Sequence, residues 1–228
     1  MSSDADGPSG KPFAGIGGGL LALIGVCCLI EIILQLGDLG LFGVPRFRSL
    51  VYEYGGFWPG LLGSWKPNYP LQPAAMFLTY GFLHAGLVHL IVNMITLVSL
   101  GRPVLARVGT ARAALLYGGA LIGGAAGFAL LADTYRPMVG ASGALFGLAG
   151  AILAWEYSDR AALRERLWPV VRAVLFLAAL NAVLYVAMHG LLAWETHLGG
   201  FVAGWALGLL IDTGGDPDNP VSPDGPDH

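Results

Sequence analysis

The sequence predicts an all-α integral membrane protein, built as one bundle of six transmembrane helices. Hydrophobic residues make up 55% of the chain and charged residues only 12%, whereas soluble domains carry about 25% charged residues. Apolar runs of the roughly 20 residues that a helix needs to cross a bilayer recur along the chain. A length of 228 residues is enough for one such bundle and too short for two domains.

Six crossings are predicted, and polar stretches separate them. A long connection, 37–75, follows the first crossing; its aromatic, proline and glycine residues predict a segment lying in the headgroup region. Glu31 and Gln35, near the end of the first crossing, are interpreted as interfacial residues. The predicted crossings are 13–36, 86–105, 111–132, 139–157, 167–188 and 194–211.

The membrane domain is expected to occupy 13–212, with a disordered segment at each end of the chain. Residues 1–12 are polar and rich in serine, glycine and aspartate, and 213–228 form an acidic tail of similar character. The net charge of −3 argues against a nucleic-acid partner. The expected partner of the apolar domain 13–212 is the lipid bilayer.

The distribution of basic residues predicts the orientation. Eight of the twelve lysine and arginine residues fall on the side of the two termini, and four fall on the opposite side. By the positive-inside rule both termini are expected in the cytoplasm, as in a multi-pass protein of the plasma (inner) membrane. The eight are Lys11, Arg102, Arg107, Arg112, Arg160, Arg164, Arg166 and Arg172, and the four are Arg46, Arg48, Lys66 and Arg136.

Four polar side chains are predicted to lie at one depth in the membrane. In this orientation crossings two, four and six all begin at the outer face, and His89, Asn93, Ser142 and His197 each lie near the start of one of them. Polar groups inside a bilayer are costly, and their default interpretation is a functional site. The sequence therefore predicts a site just below the outer face.

Ser142 is the candidate nucleophile of this site. Gly140 and Gly143 flank it where a polar run gives way to an apolar one, so Ser142 is predicted near the start of a helix. The first N–H groups of a helix lack intrahelical acceptors and can stabilise a developing oxyanion. The competing interpretation is that this Gly-x-Ser-Gly segment serves only close packing of helices.

Two glycine stripes predict how Ser142 and His197 could meet. Helical residues three or four apart share a face, and stripes of small residues let two backbones approach closely. His197 stands one turn before Gly200 on the same face, so docked stripes would bring its imidazole beside the serine, as nucleophile activation requires. The stripes are Gly143, Gly147 and Gly150 on crossing four, and Gly200, Gly204 and Gly208 on crossing six.

Three segments of the chain resemble the rhomboid family of intramembrane serine proteases. They are 84–93, 140–147 and 197–204, which occur in the order of the family and on the expected helices. The resemblance implies a rhomboid-like bundle of six helices over 13–211. It also implies a serine endopeptidase without a cofactor, which cleaves transmembrane helices of single-pass membrane proteins near the outer face.

The resemblance further implies the role of each site residue. Ser142 would be the nucleophile and His197 the general base of a dyad, since no buried aspartate is suitably placed to orient the histidine. The backbone N–H of Ser142 would form an oxyanion hole with Asn93 and His89, and Phe146 would stack on the imidazole. The supporting positions that match the family are His84, Gly140 and Gly143.

The chain departs from the family pattern in its first loop. Many members have an aromatic–arginine pair shortly before the first histidine of the motif, whereas 72–77 contains no arginine. The packing of the first loop is therefore not predicted from the resemblance.

Two other classes of protein are weighed against an active protease. A catalytically silent rhomboid-like protein that binds membrane proteins would lack Ser142 or His197, and both are present. A metal-binding or transport bundle would use the histidines of the outer face as ligands. Metal sites usually add carboxylate or thiolate ligands, and none is expected at this depth, so no metal site is predicted.

Overall fold

The computed structural model describes residues 17–211, whose regular secondary structure is helical. This confirms the predicted all-α class. The predicted disordered segments 1–12 and 213–228 lie outside the described residues. Two 3₁₀ turns, Pro59–Leu62 and Tyr80–Phe82, accompany seven α-helices. The helices are α1 (Gly18–Asp38), α2 (Phe47–Gly55), α3 (Gln72–Thr79), α4 (Leu87–Leu131), α5 (Ser142–Ala162), α6 (Trp168–Ala187) and α7 (Trp194–Ile211).

The long helix α4 contains the second and third predicted crossings. Its path breaks at Gly109, where φ is 75° and ψ is 173°, a conformation that glycine adopts without the steric penalty of a side chain. Within 17–211, the two arms of α4 and the helices α1, α5, α6 and α7 overlap the six predicted crossings. By length and composition, α1, α4 and α6 are the helices of 17–211 that qualify as membrane spans.

Helices α4, α5 and α7 form the centre of the bundle. The glycine stripes of α5 and α7 lie face to face, so that a Cβ atom added to Gly200 would overlap the carbonyl of Gly143. One turn further, a Cβ atom on Gly204 would overlap the carbonyl of Gly147. The two backbones are therefore in direct contact, which only glycine permits at these positions.

Helices α1 and α6 lie at the periphery. The buried face of α1, which includes Leu20 and Cys27, packs on the first arm of α4. Helix α6 is held more loosely, because Val170 is its one buried residue. Large apolar side chains are exposed along both helices, as expected for surfaces that face lipid.

The first loop is held to α1 by a buried ion pair. Arg48 on α2 donates hydrogen bonds to both carboxylate oxygens of Glu31, at 2.9 and 3.0 Å, and to Asp38 at 2.6 Å. The interpretation of Glu31 as an interfacial residue is wrong, because its side chain is fully buried. Gln35 donates to the same carboxylate at 2.8 Å.

Candidate active site

Ser142 is the first residue of α5, and the chain before it is held by backbone hydrogen bonds. Phe57 and Met138 exchange two bonds of 2.9 Å, which tie the segment before α5 to the first loop. The N–H of Gly140 donates to the carbonyl of Tyr80 at 2.9 Å. Ser142 therefore lies at a helix N-terminus, where the first N–H groups have no intrahelical acceptor.

The hydroxyl of Ser142 is in hydrogen-bond contact with the imidazole of His197. The distance from Ser142 Oγ to His197 Nε2 is 2.9 Å. His197 lies in the first turn of α7 and is only 5% exposed, while Ser142 is half-buried. The docked glycine stripes of α5 and α7 bring together these two residues, which are 55 positions apart in the sequence.

Two side chains restrain the imidazole of His197. The ring of Phe146 lies parallel to it, with an interplanar angle of 7° and 4.2 Å between the ring centroids. At the edge of the imidazole, the Oδ1 atom of Asn181 lies 2.7 Å from His197 Nδ1. Asn181 is not among the site residues that the sequence predicts. A signal was available, because an asparagine within the apolar crossing 167–188 requires a polar partner.

Two donors surround the backbone just before Ser142. A Cβ atom added to Gly140 would lie 2.7 Å from the His89 ring and 3.6 Å from Asn93 Nδ2, and the φ of Gly140 is 129°. No other residue fits there, so Gly140 makes room for both side chains. Asn93 is buried, and its Nδ2 has no hydrogen-bond partner within 17–211. A free buried donor is costly and is what an oxyanion hole presents before its substrate binds.

The tautomer of His89 is set by its own loop. The backbone N–H of Ala85 donates to His89 Nδ1 at 3.2 Å, so the ring proton of the neutral imidazole sits on Nε2. That nitrogen is the one that faces Gly140, at 3.0 Å from the position of an added Cβ atom. His89 can therefore donate a hydrogen bond into the same space as Asn93.

His84 lies behind these donors. It is fully buried, and its ring meets that of His89 edge-on with 5.3 Å between centroids. Burial, followed by the charge of His89, lowers the pKa of His84 to about 4, so its imidazole is neutral at physiological pH. Its carbonyl accepts hydrogen bonds from Tyr52 at 2.6 Å and Arg48 at 3.0 Å. His84 thus joins the first loop to the start of α4.

The arrangement has the parts of an acyl-transfer site. A hydroxyl contacts a base, the base is restrained by two side chains, and an unpaired donor, Asn93 Nδ2, lies beside Gly140, two residues before Ser142. Gly143 keeps the helices close, since a Cβ atom there would lie 2.6 Å from Thr196. Within 17–211, no three His, Cys, Asp or Glu side chains are grouped so that they could hold a metal ion.

Comparison with known proteins finds relatives whose names contain the word rhomboid. "RHOMBOID-like protein 2" of Arabidopsis thaliana is 32% identical over 178 residues, which is 74% of this chain and 46% of that protein. "RHOMBOID-like protein 6, mitochondrial" of the same plant is 34% identical over 65% of this chain and 47% of that protein. Human "Inactive rhomboid protein 2" is 33% identical over 67% of this chain and 17% of that protein.

The matched region covers the site and most of the helices. The chain spans less than half the length of these relatives. A family model described as the Rhomboid domain matches residues 72–212, which include α3 to α7 and every candidate site residue. This match extends over more than half of the chain, which therefore belongs to the rhomboid family.

Proposed function

We propose that the protein is an intramembrane serine endopeptidase, which cleaves transmembrane helices of single-pass membrane proteins near the outer membrane face. The observation that carries this proposal is the 2.9 Å contact between Ser142 Oγ and His197 Nε2. Family membership alone does not decide activity, because a relative is named inactive. A hydroxyl already bonded to a restrained imidazole supports the active alternative.

In the first half of the reaction, His197 Nε2 takes the hydroxyl proton while Ser142 Oγ attacks the carbonyl carbon of the scissile peptide bond. The carbonyl oxygen becomes an oxyanion that accepts hydrogen bonds from the Ser142 N–H, Asn93 Nδ2 and His89 Nε2. Collapse of this intermediate breaks the C–N bond. The imidazolium gives its proton to the leaving amine, and the acyl group stays on the serine.

In the second half, water replaces the amine. His197 takes a proton from a water molecule, whose oxygen attacks the acyl carbon, and the new oxyanion uses the same donors. Collapse releases the acid product and returns the proton to Ser142 Oγ. Since the hydrocarbon core excludes water, a site just below the outer surface, under loops 133–139 and 189–193, suits this step.

The membrane setting also limits which peptide bonds can be cleaved. A helical segment uses its carbonyl groups in internal hydrogen bonds, so a scissile bond must first leave the helix. Glycine, proline or polar residues near the outer end of a substrate helix should favour cleavage. The loosely packed α6, which borders the site through Asn181, suits lateral access from the bilayer. The proposed orientation has both termini in the cytoplasm.

The decisive experiment is active-site labelling of the purified protein with a fluorophosphonate probe. We expect the wild type to label and Ser142→Ala not to label. His197→Ala should label at least about 100-fold more slowly, because general-base catalysis contributes roughly 10²–10⁴-fold. An unlabelled wild type would favour a catalytically silent membrane-protein-binding role. Equal labelling of wild type and His197→Ala would refute the assignment of the base.

A second measurement tests the substrate class. The wild type and Ser142→Ala are incubated in liposomes with a panel of single-pass proteins whose transmembrane helices do or do not contain an outer-end glycine or proline. Mass spectrometry of the products should locate serine-dependent cleavage near the outer end of the helices containing them. Cleavage confined to soluble loops would contradict the proposed substrate class.

A further inference from the structure

A mechanism that involves only Ser142 and His197 gives no role to the contact between His197 and Asn181. Asn181 lies in α6, is half-buried, and places its Oδ1 atom 2.7 Å from His197 Nδ1. The opposite ring nitrogen, Nε2, faces Ser142 Oγ at 2.9 Å. The two hydrogen bonds therefore lie on opposite edges of one imidazole and are coupled through its single proton.

The chemistry of a general base requires one tautomer of this ring. His197 Nε2 can accept the hydroxyl proton only if its lone pair faces Ser142, and the proton of the neutral ring must then sit on Nδ1. An amide oxygen at Nδ1 accepts that proton and favours this tautomer. After proton transfer, the same bond holds the imidazolium in line with the leaving amine. An asparagine serves the histidine in this way in papain-like cysteine proteases.

The surroundings of Asn181 make the contact specific. Asn181 is the one amide side chain of α6, whose other residues are apolar apart from Arg172 near its start and Tyr185 near its end, and whose one buried residue is Val170. Helix α6 is thus not locked by packing, and its polar contact with α7 is directed at the candidate catalytic ring. The side-chain hydrogen bonds of His197 within 17–211 go to Asn181 and Ser142, and none goes to a carboxylate.

We propose that Asn181 is a positioning residue, which holds His197 in the Nδ1–H tautomer and in line with Ser142. The proposal rests on the proposed function and adds a third member to the catalytic pair. It also links α6 to the site, because outward movement of α6 would break the bond to the imidazole.

The pH profile of fluorophosphonate labelling tests this role. Asn181→Leu should slow labelling by at least about tenfold, since loss of the orienting partner of a catalytic histidine or a metal ligand costs 10-fold or more. Asn181→Asp should move the midpoint of the rate–pH profile upward, because a carboxylate stabilises the imidazolium and so delays its deprotonation. Val183→Ala, an exposed position two residues along α6, serves as the control and should match the wild type.

A purely structural role for Asn181 gives a different result. Loosened packing of α6 would lower the amount of folded protein without moving the midpoint of the profile. Unchanged rates in Asn181→Leu together with an unchanged midpoint in Asn181→Asp would overturn the proposal and leave the proposed protease activity intact. An unlabelled wild type would instead refute the activity, and the tautomer measurement would then decide the positioning role.

Nitrogen NMR of histidine-labelled protein reads the tautomer directly and needs no activity. The His197 signals are assigned by their loss in His197→Gln. We expect a protonated Nδ1 in the wild type and in Ser142→Ala, and a mixture of tautomers in Asn181→Leu. A wild-type ring protonated on Nε2 would overturn the proposal even if the Asn181 variants failed to fold.

Discussion

At the scale of single residues, Phe146 provides a restraint on His197 that is independent of hydrogen bonding. Its ring is parallel to the imidazole at 4.2 Å, and stacked aromatic pairs contribute about 0.5–1.5 kcal/mol. We expect Phe146→Leu to slow fluorophosphonate labelling by about 2- to 10-fold through loss of this stacking energy. The measurement is the labelling rate at fixed probe concentration.

Two variants separate loss of the ring from loss of packing. Phe146→Tyr keeps an aromatic ring and should label at close to the wild-type rate. Phe201→Leu removes the ring that meets Trp205 on α7, at 5.9 Å between centroids, and should not affect labelling. Equal rates in Phe146→Leu and the wild type would show that the stacking does not position the histidine.

At the scale of elements, the ion pair between α1 and α2 fixes the first loop. Burial opposes the charge of Arg48, but the hydrogen bonds that Arg48 donates to Glu31, Tyr52 and Asp38 raise the pKa of Arg48 above its usual range. Glu31→Gln should destabilise the protein by about 1.5–3 kcal/mol, because Arg48 loses its charge-assisted hydrogen bonds to a buried carboxylate and keeps only the half-exposed Asp38 as an ionic partner. The measurement is the free energy of unfolding in mixed detergent micelles.

Variants at Asp38 and at both members of the ion pair serve as controls for Glu31→Gln. Asp38 is 38% exposed, so Asp38→Asn should cost less than about 1 kcal/mol. The double variant Glu31→Met with Arg48→Met should be more stable than Glu31→Gln, because the one charge that it leaves unpaired, that of Asp38, is half-exposed. If Glu31→Gln were as stable as Asp38→Asn, the buried ion pair would not anchor the loop.

At the scale of the whole molecule, the distance between Ser142 and His197 depends on the fit of α5 against α7. Gly204 allows this fit, since a Cβ atom there would overlap the backbone of Gly147. Gly204→Ala should destabilise the protein by about 1–3 kcal/mol through overpacking. It should also reduce labelling, because α7 would move away from Ser142 and take His197 with it.

Gly118 on α4 is the matched control for this substitution. A Cβ atom on Gly118 would meet nothing within 4 Å, and alanine is the better helix former by about 1 kcal/mol. Gly118→Ala should therefore keep full labelling and be as stable as the wild type or more so. Full labelling of Gly204→Ala with unchanged stability would contradict the dependence of the site on backbone contact.

The helices are the part of the structure that local sequence signals predicted best. Hydropathy and the change from apolar to polar residues are local properties, and the predicted crossing 194–211 coincides with α7. Helix boundaries were less accurate where no polar break exists. The second and third crossings are arms of one helix, α4, broken at Gly109, and the fourth begins at Ser142 rather than at 139.

The sequence by itself determined the membrane class, and it indicated the pair Ser142 and His197 from their shared depth and the adjacent glycine stripes. Periodicity within a helix is enough for such inferences. Only the tertiary structure decided the partners of Asn181 and Arg48. Both contacts depend on the rotation of one helix against another and on the path of the first loop. No local pattern encodes these, because they follow from the packing of the whole bundle.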